Sequence, residues 1–201
     1  MALIRNKIQI LTKHGSCTFV TFYDLDEKNE HFALIFNSSE TKCPLVRVHS
    51  ECITGDLFGS CKCDCGDQLS EALNLFSQSG GILLYLRQEG RGIGLYNKLD
   101  AYSLQQKGFD TFEADNMLNF PDDMRKFDIA ADMLKAMGIR TIDLLSNNPD
   151  KYTQLKEHGI CIRNKVNTGF YLKKENKYYL QAKIEKAGHS FIQNIVSLQA
   201  R

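Results

Sequence analysis

The apolar pattern of this chain changes character after its first third, and that change limits the folds open to it. IQILT, CTFVTFYD, HFALIF and PLVRVHS alternate apolar with polar residues or form short β-rich runs, with turn residues such as His14-Gly15 and Asn37-Ser38-Ser39 between them. This predicts successive strands. A helix is predicted to begin near Asp67, where Leu69, Ala72, Leu73 and Phe76 share one face, and to end at Gly80 and Gly81. Beyond it, ILLYL and TIDLLS read as buried strands and ICIRNKV as a further strand. Helices are predicted over about Gly94 to Gln106, over about Met124 to Met137, and from the Asn147-Asn148-Pro149 turn to Gly159. The tail from Tyr178 to Val196 is predicted to be helical as well. Strands first and strand–helix alternation afterwards imply an α/β (α+β) fold: a mixed, partly antiparallel β-sheet with flanking helices.

Nothing in the 201 residues divides the chain. Only three prolines occur and no Pro/Gly/Ser linker is visible, so one domain is expected over residues 1–201, with the part from about residue 168 as its tail. No apolar run is long enough to cross a membrane. The N-terminus MALIRNKIQILTKHG has no apolar core with a small-residue cleavage site, so a cytoplasmic protein is expected. A formal net charge of +1 argues against a nucleic-acid partner and leaves a small anion open.

The strongest chemical signal is RVHSECITGDLFGSCKCDCGDQL. Four of seven cysteines, Cys52, Cys61, Cys63 and Cys65, crowd into this stretch, which in a reducing compartment points to metal or redox chemistry. Cys63 and Cys65 would point the same way on an extended backbone, and a turn through Thr54-Gly55-Asp56 could bring Cys52 back as a third ligand. Two readings follow. Four thiolates could close a structural site. Alternatively, three could ligate and leave a position for water, whose pKa zinc lowers from ~15.7 towards ~7. The spacing C-x10-C-x-C is not the paired-knuckle pattern of structural sites. His-Ser-Glu-Cys is also similar to the zinc deaminases, but their P-C-x-x-C partner motif is absent. Cys17, Cys43 and Cys161 are isolated and are expected to be small core residues.

Three further segments carry polar residues at places where α/β sheets bind ligands. RQEGRGIGLYNK follows a buried strand; its glycines allow close backbone approach and Arg91 could pair with phosphate. It is neither a dinucleotide fingerprint nor a Walker A loop. Asp123 and Arg125 stand at the mouth of a predicted helix, where a capping carboxylate and a surface arginine are the ordinary reading. Ser146, Asn147 and Asn148 follow a buried strand, with Lys151 one turn on. The other histidines, His14, His31 and His158, carry no signal.

These motifs, in this order, resemble the GTP cyclohydrolase II family. RVHSEC, CDCG, RQEGRGIGL-NK, the Asp123-x-Arg125 pair and NNP-K all match, as does the late segment from Tyr179 to His189. The resemblance implies zinc held by Cys52, Cys63 and Cys65, with Cys61 outside the site. It implies GTP contacts from Arg47, Val48, His49, Ser50, Glu51, Gln68, Glu89, Gly90, Arg91, Thr111, Ser146 and Lys151. It assigns Asp123 as proton acceptor, Arg125 as nucleophile on the α-phosphate, and Tyr102 to the ring-opening step. The implied reaction expels diphosphate, with Mg²⁺ spread over the triphosphate, then opens the imidazole ring and releases formate. A homodimer is implied too. From chemistry alone Arg125 reads as a phosphate clamp, since guanidinium is a poor nucleophile. Ser146 stands where the family usually has threonine, Asp115 where it has asparagine and Asn119 where it has glycine. Two other readings stay open: an enzyme that opens the ring but keeps the formyl group, against which Tyr102 argues, and a non-catalytic, zinc-stabilised nucleotide-binding module.

Overall fold

The computed structural model describes residues 2–25, 28–37, 42–107, 109, 118, 120–121 and 123–185. Thr111, Asp115, Asn119 and the tail beyond residue 185 lie outside the described residues.

A seven-stranded sheet organises the described residues, in the order β1-β2-β3-β5-β4-β6-β7. Strands β1 (Leu3–Thr12), β2 (Gly15–Tyr23) and β3 (Phe32–Phe36) form an antiparallel meander, and β3 pairs antiparallel with β5 (Gly81–Leu86). The β1–β2 hairpin turns at Gly15, whose φ of 100° suits a residue without a Cβ. From β4 (Leu45–Ser50) onward the sheet is parallel: β4 lies between β5 and β6 (Thr141–Leu145), and β7 (Cys161–Val166) follows β6. This matches the predicted mixed, partly antiparallel sheet with flanking helices.

The helices are α1 (Ile53–Asp56), α2 (Cys65–Ser79), α3 (Leu95–Gln106), α4 (Asp128–Ala136), α5 (Pro149–Glu157) and α6 (Lys177–Glu185). They cover both faces. Val46, Val48, Ile82, Leu84, Leu86, Ile142 and Leu144 meet Ala130, Ala131, Met133, Leu134 and Leu155 from α4 and α5. On the opposite face Phe36, Leu83 and Leu145 meet Ala72 and Phe76 of α2. Because side chains alternate along a strand, a strand buried on both faces reads as a continuous apolar run, as β5 does. The chain leaves β4 for β5 on one side and later passes to β6 on the other. The carboxyl end of β4 is therefore a topological switch point, where open α/β sheets bind ligands.

Two expectations are corrected. The helix predicted from Met124 starts only at Asp128, because upstream donors are committed elsewhere: Met124 N–H to the Arg91 carbonyl at 2.9 Å, Arg125 N–H to Asp123 at 3.0 Å, and Phe127 N–H to the Gln154 side chain at 2.8 Å. Cys161, expected in the core, is exposed, and Cys43 is half-buried with its sulfur 3.7 Å from Asp143. Only Cys17 of the three is fully buried.

Phe76 anchors α2 to the sheet, its ring 6.4 Å from that of Phe36. A Cβ on Gly81 would lie 2.2 Å from the Phe76 ring, so strand and helix meet without spare volume. Phe76→Ala is expected to lower unfolding free energy by about 3–5 kcal/mol, read by denaturant titration. A loss below about 1 kcal/mol would contradict this packing.

Candidate active site

The site begins where β4 leaves the sheet. Glu51 N–H still bonds the Leu86 carbonyl at 2.8 Å; the chain then turns through α1. Asp56 fixes that turn. Its carboxylate accepts the Cys52 N–H at 3.0 Å and the Tyr85 hydroxyl at 2.8 Å, and meets His49 Nε2 at 3.1 Å. The His49 and Asp56 side chains are 3% and 2% exposed, so this knot is removed from water. The Tyr85 phenol is pushed up by burial and by the neighbouring Asp56 charge, which keeps it a neutral donor.

Cys52, Cys63 and Cys65 converge, their sulfurs all within 4.8 Å of one another and those of Cys52 and Cys63 3.6 Å apart. Glycine makes this possible. A Cβ on Gly55 would lie 2.9 Å from the Cys63 sulfur and 3.1 Å from that of Cys52. A Cβ on Gly66 would lie 2.3 Å from the Gly55 carbonyl oxygen, so α1 and α2 touch through backbone. Cys61 is exposed and outside the converging group. The expectation of an extended Cys63–Cys65 segment is corrected: Cys65 is the first residue of α2, and Cys63 follows a turn at Cys61-Lys62.

A buried lysine borders the sulfurs. Lys98 of α3 places Nζ 3.2 Å from the Cys52 sulfur, 3.0 Å from Thr54 Oγ1 and 2.8 Å from Glu89 Oε1. Burial opposes its charge, but the Cys52 sulfur and Glu89 outweigh burial and raise its pKa. Thiol hydrogen bonding from Cys63 and Cys65, with help from Lys98, holds the Cys52 thiol below its ordinary range. Glu89 also accepts the Ile53 N–H at 2.6 Å, tying the glycine turn to α1. Within that turn Gly90 and Arg91 take φ of 60° and 58°, a left-handed bend that aims the backbone back at the site. Tyr102 lies next to this group, with Lys62 Nζ 4.6 Å and Lys98 Nζ 5.8 Å from its ring centroid. Burial is the main cause that pushes its phenol up to about 12.

Beside the sulfurs lies a cationic cluster. Arg47 is buried, donating to Gln68 Oε1 at 2.6 Å and to the Leu145 carbonyl at 3.3 Å. Lys151 is only 6% exposed and donates to the Val48 carbonyl at 2.8 Å. Burial, then repulsion from Arg47, Arg125 and Lys183, drives its pKa well below the usual lysine range. Ser146 is buried and its hydroxyl accepts the Asn148 N–H at 3.1 Å; Asn148 in turn caps α5. Among the described residues Arg47 Nε, His49 Nδ1 and Ser50 Oγ are buried with no hydrogen-bond partner. Three open polar valences along one strand end mark a place for a polar ligand. Glu51 is paired with Arg87 at 2.8 Å.

Asp123 and Arg125 form a bidentate pair, Nε to Oδ1 at 2.9 Å and Nη2 to Oδ2 at 2.5 Å. Neither caps a helix; Phe127 holds that position. Burial works against both charges, yet each holds the other ionised: Asp123 is lowered and Arg125 raised. The Phe127 ring lies 5.5 Å from the Arg125 guanidinium and 5.3 Å from Lys151 Nζ, which sets the pair beside the cationic cluster. Sequence reasoning gave no site role to the side chains of Asp56, Asp64, Lys98, Tyr179 and Lys183. The one available signal was position: Asp56 lies one helical turn after Cys52, and Asp64 lies between two cysteines.

A family model described as GTP cyclohydrolase II matches residues 4–167. A protein of Vibrio cholerae named GTP cyclohydrolase-2 is 54% identical over 172 residues, covering 85% of this chain and 87% of its own. One of the same name from Aliivibrio salmonicida is 50% identical over 194 residues, covering 94% and 97%. The riboflavin biosynthesis protein RibBA of Bacillus cytotoxicus is 48% identical over 185 residues, 91% of this chain and 47% of its own. With most of its length matched in this way, the chain belongs to the GTP cyclohydrolase II family of hydrolases.

Proposed function

We propose that the chain hydrolyses GTP to 2,5-diamino-6-ribosylamino-4(3H)-pyrimidinone 5′-phosphate, formate and diphosphate, the first step of riboflavin biosynthesis. The observation that carries this reading is a triad of converging sulfurs beside a group of buried cationic side chains. Cys52, Cys63 and Cys65 would hold one Zn²⁺ per chain. Thiolates suit this ion, and the 3.6 Å between two of the sulfurs is close to the roughly 3.8 Å expected for tetrahedral metal–sulfur bonds of about 2.3 Å. When bound, zinc supplies Lewis acidity and makes water a nucleophile near neutral pH.

GTP would lie across the end of β4, where Arg47, Val48, His49, Ser50 and Glu51 present polar groups and open valences. Gln68, the Glu89-Gly90-Arg91 turn, Ser146 and Lys151 complete the enclosure, with Thr111 assigned to it on resemblance alone. Mg²⁺ would accompany the triphosphate and share its charge with Arg47 and Lys151. Arg125 addresses the α-phosphate. In the resting pair it is a protonated clamp; to act as nucleophile it must pass a proton to Asp123, whose oxygens are in hydrogen-bond range. Tyr102, neutral in the working pH range, orients groups in the ring-opening half beside the sulfurs. A homodimer in the cytoplasm is carried with this reading. Leu3, Ile8, Ile10 and Leu11 of the edge strand β1 are exposed and give a partner surface to bury, and no helix among the described residues is long and apolar enough to cross a membrane.

Product analysis tests the proposal. The purified protein with Zn²⁺ and Mg²⁺ is expected to release formate and diphosphate from GTP, and a strong zinc chelator or Cys63→Ser to cut formate release by at least about 100-fold. Formate release that survives both treatments would overturn the metal assignment. Diphosphate without formate would favour a ring-opening enzyme that keeps the formyl group.

The Asp123–Arg125 pair makes a separate prediction. Asp123 is depressed below its ordinary value, so its stabilising contribution is full above the usual carboxylate range and is lost only as pH falls through its lowered value. No acid limb from Asp123 is expected between pH 5 and 8 in the wild-type rate profile. Asp123→Asn is expected to lower kcat by about 10²–10⁴-fold across that range. An unchanged kcat would remove Asp123 from the mechanism.

A further inference from the structure

The family model spans residues 4–167, and the segment that follows it folds back onto the site. Thr168 and Asn147 bond reciprocally at 3.0 and 2.9 Å, and Gly169 N–H reaches the Glu71 carboxylate at 2.9 Å. The buried Asn176 side chain closes the next turn, accepting the Lys173 N–H at 2.7 Å and donating to the Tyr171 carbonyl at 2.9 Å. Three contacts then land on the start of α2. Lys173 Nζ meets Asp67 at 2.6 Å, the Tyr179 hydroxyl lies 3.8 Å from the Cys65 sulfur, and Lys183 Nζ meets Asp64 Oδ1 at 2.7 Å.

Asp64 is the reason this matters. Its carboxylate is 0% exposed and stands between two cysteines of the sulfur triad. A buried carboxylate there repels the thiolates a metal requires unless a cation offsets it. Lys183 supplies that cation, itself resting 4.5 Å from the Tyr179 ring centroid. The other Asp64 oxygen accepts Gln68 Nε2 at 2.6 Å, and Gln68 holds Arg47. One chain of contacts therefore runs from α6, past the sulfurs, to the cationic cluster.

We propose that Tyr179 and Lys183 are positioning residues of the metal centre, Tyr179 as hydrogen-bond donor to the Cys65 sulfur and Lys183 as counter-charge to Asp64. This rests on the reading that Cys52, Cys63 and Cys65 hold the metal. A donor to a ligating sulfur and a charge that orients the ligand turn both slow metal loss, and partners of this kind change metal affinity by about 10–100-fold.

The test uses the full chain loaded with Co²⁺ as a visible substitute. Wild type, Tyr179→Phe, Lys183→Met and Lys183→Arg are compared for cobalt release to excess chelator and for the thiolate-to-cobalt absorption band. Tyr179→Phe is expected to shift the band and speed release by about 10-fold or more. Lys183→Met should speed release similarly, and Lys183→Arg should restore near-wild-type retention. If Lys183→Met fails to fold, the isosteric Tyr179→Phe still decides. Unchanged release and an unshifted band in Tyr179→Phe, even with a lowered unfolding temperature, would overturn the inference. A wild-type chain that takes up no cobalt would instead overturn the metal reading beneath it.

Discussion

Three sulfurs from two stretches of chain meet because two glycines let the backbone close on itself. Gly55 gives the Cys52 and Cys63 sulfurs the volume a methyl group would take, and Gly66 lets the start of α2 touch the Gly55 carbonyl. The fold supplies the rest of the constraint. Strand β4 ends at the switch point of the parallel half of the sheet, and Asp56 locks the turn that follows by gathering donors from Cys52, Tyr85 and His49. Central strands buried on both faces make that strand end a rigid mount.

Charge is distributed in two opposed groups around that mount. Asp64 and Glu89 concentrate negative charge near the sulfurs, answered by Lys183 and Lys98. Arg47, Lys151 and Arg125 concentrate positive charge next to it, with Asp123 as the partner of Arg125. Burial, then repulsion from its cationic neighbours, lowers the pKa of Lys151. In the proposed reading a metal would offset the first group and a triphosphate the second.

The architecture was legible in the sequence wherever periodicity carried it. The alternating early runs became the meander, ILLYL and TIDLLS became central strands, and the helix ending at Gly80 was bounded by a residue that does sit at positive φ. The start of α4 was not legible, because long-range hydrogen bonds from Met124 and Phe127 override a local helical pattern. Cys161 shows the limit of residue type as a guide to burial: at the head of a strand near the sheet edge it faces solvent. The cysteine cluster announced itself by density. The buried polar partners did not, since Asp56, Asp64, Lys98 and Lys183 follow no period and come together only through tertiary contacts.

The coordination number of the sulfur site is the quantity on which this account turns. X-ray absorption at the zinc edge of the purified chain measures it directly. The account predicts one zinc per chain with three sulfur neighbours at about 2.3 Å and one lighter atom. A shell of four sulfurs, or a chain that retains no zinc, would contradict it.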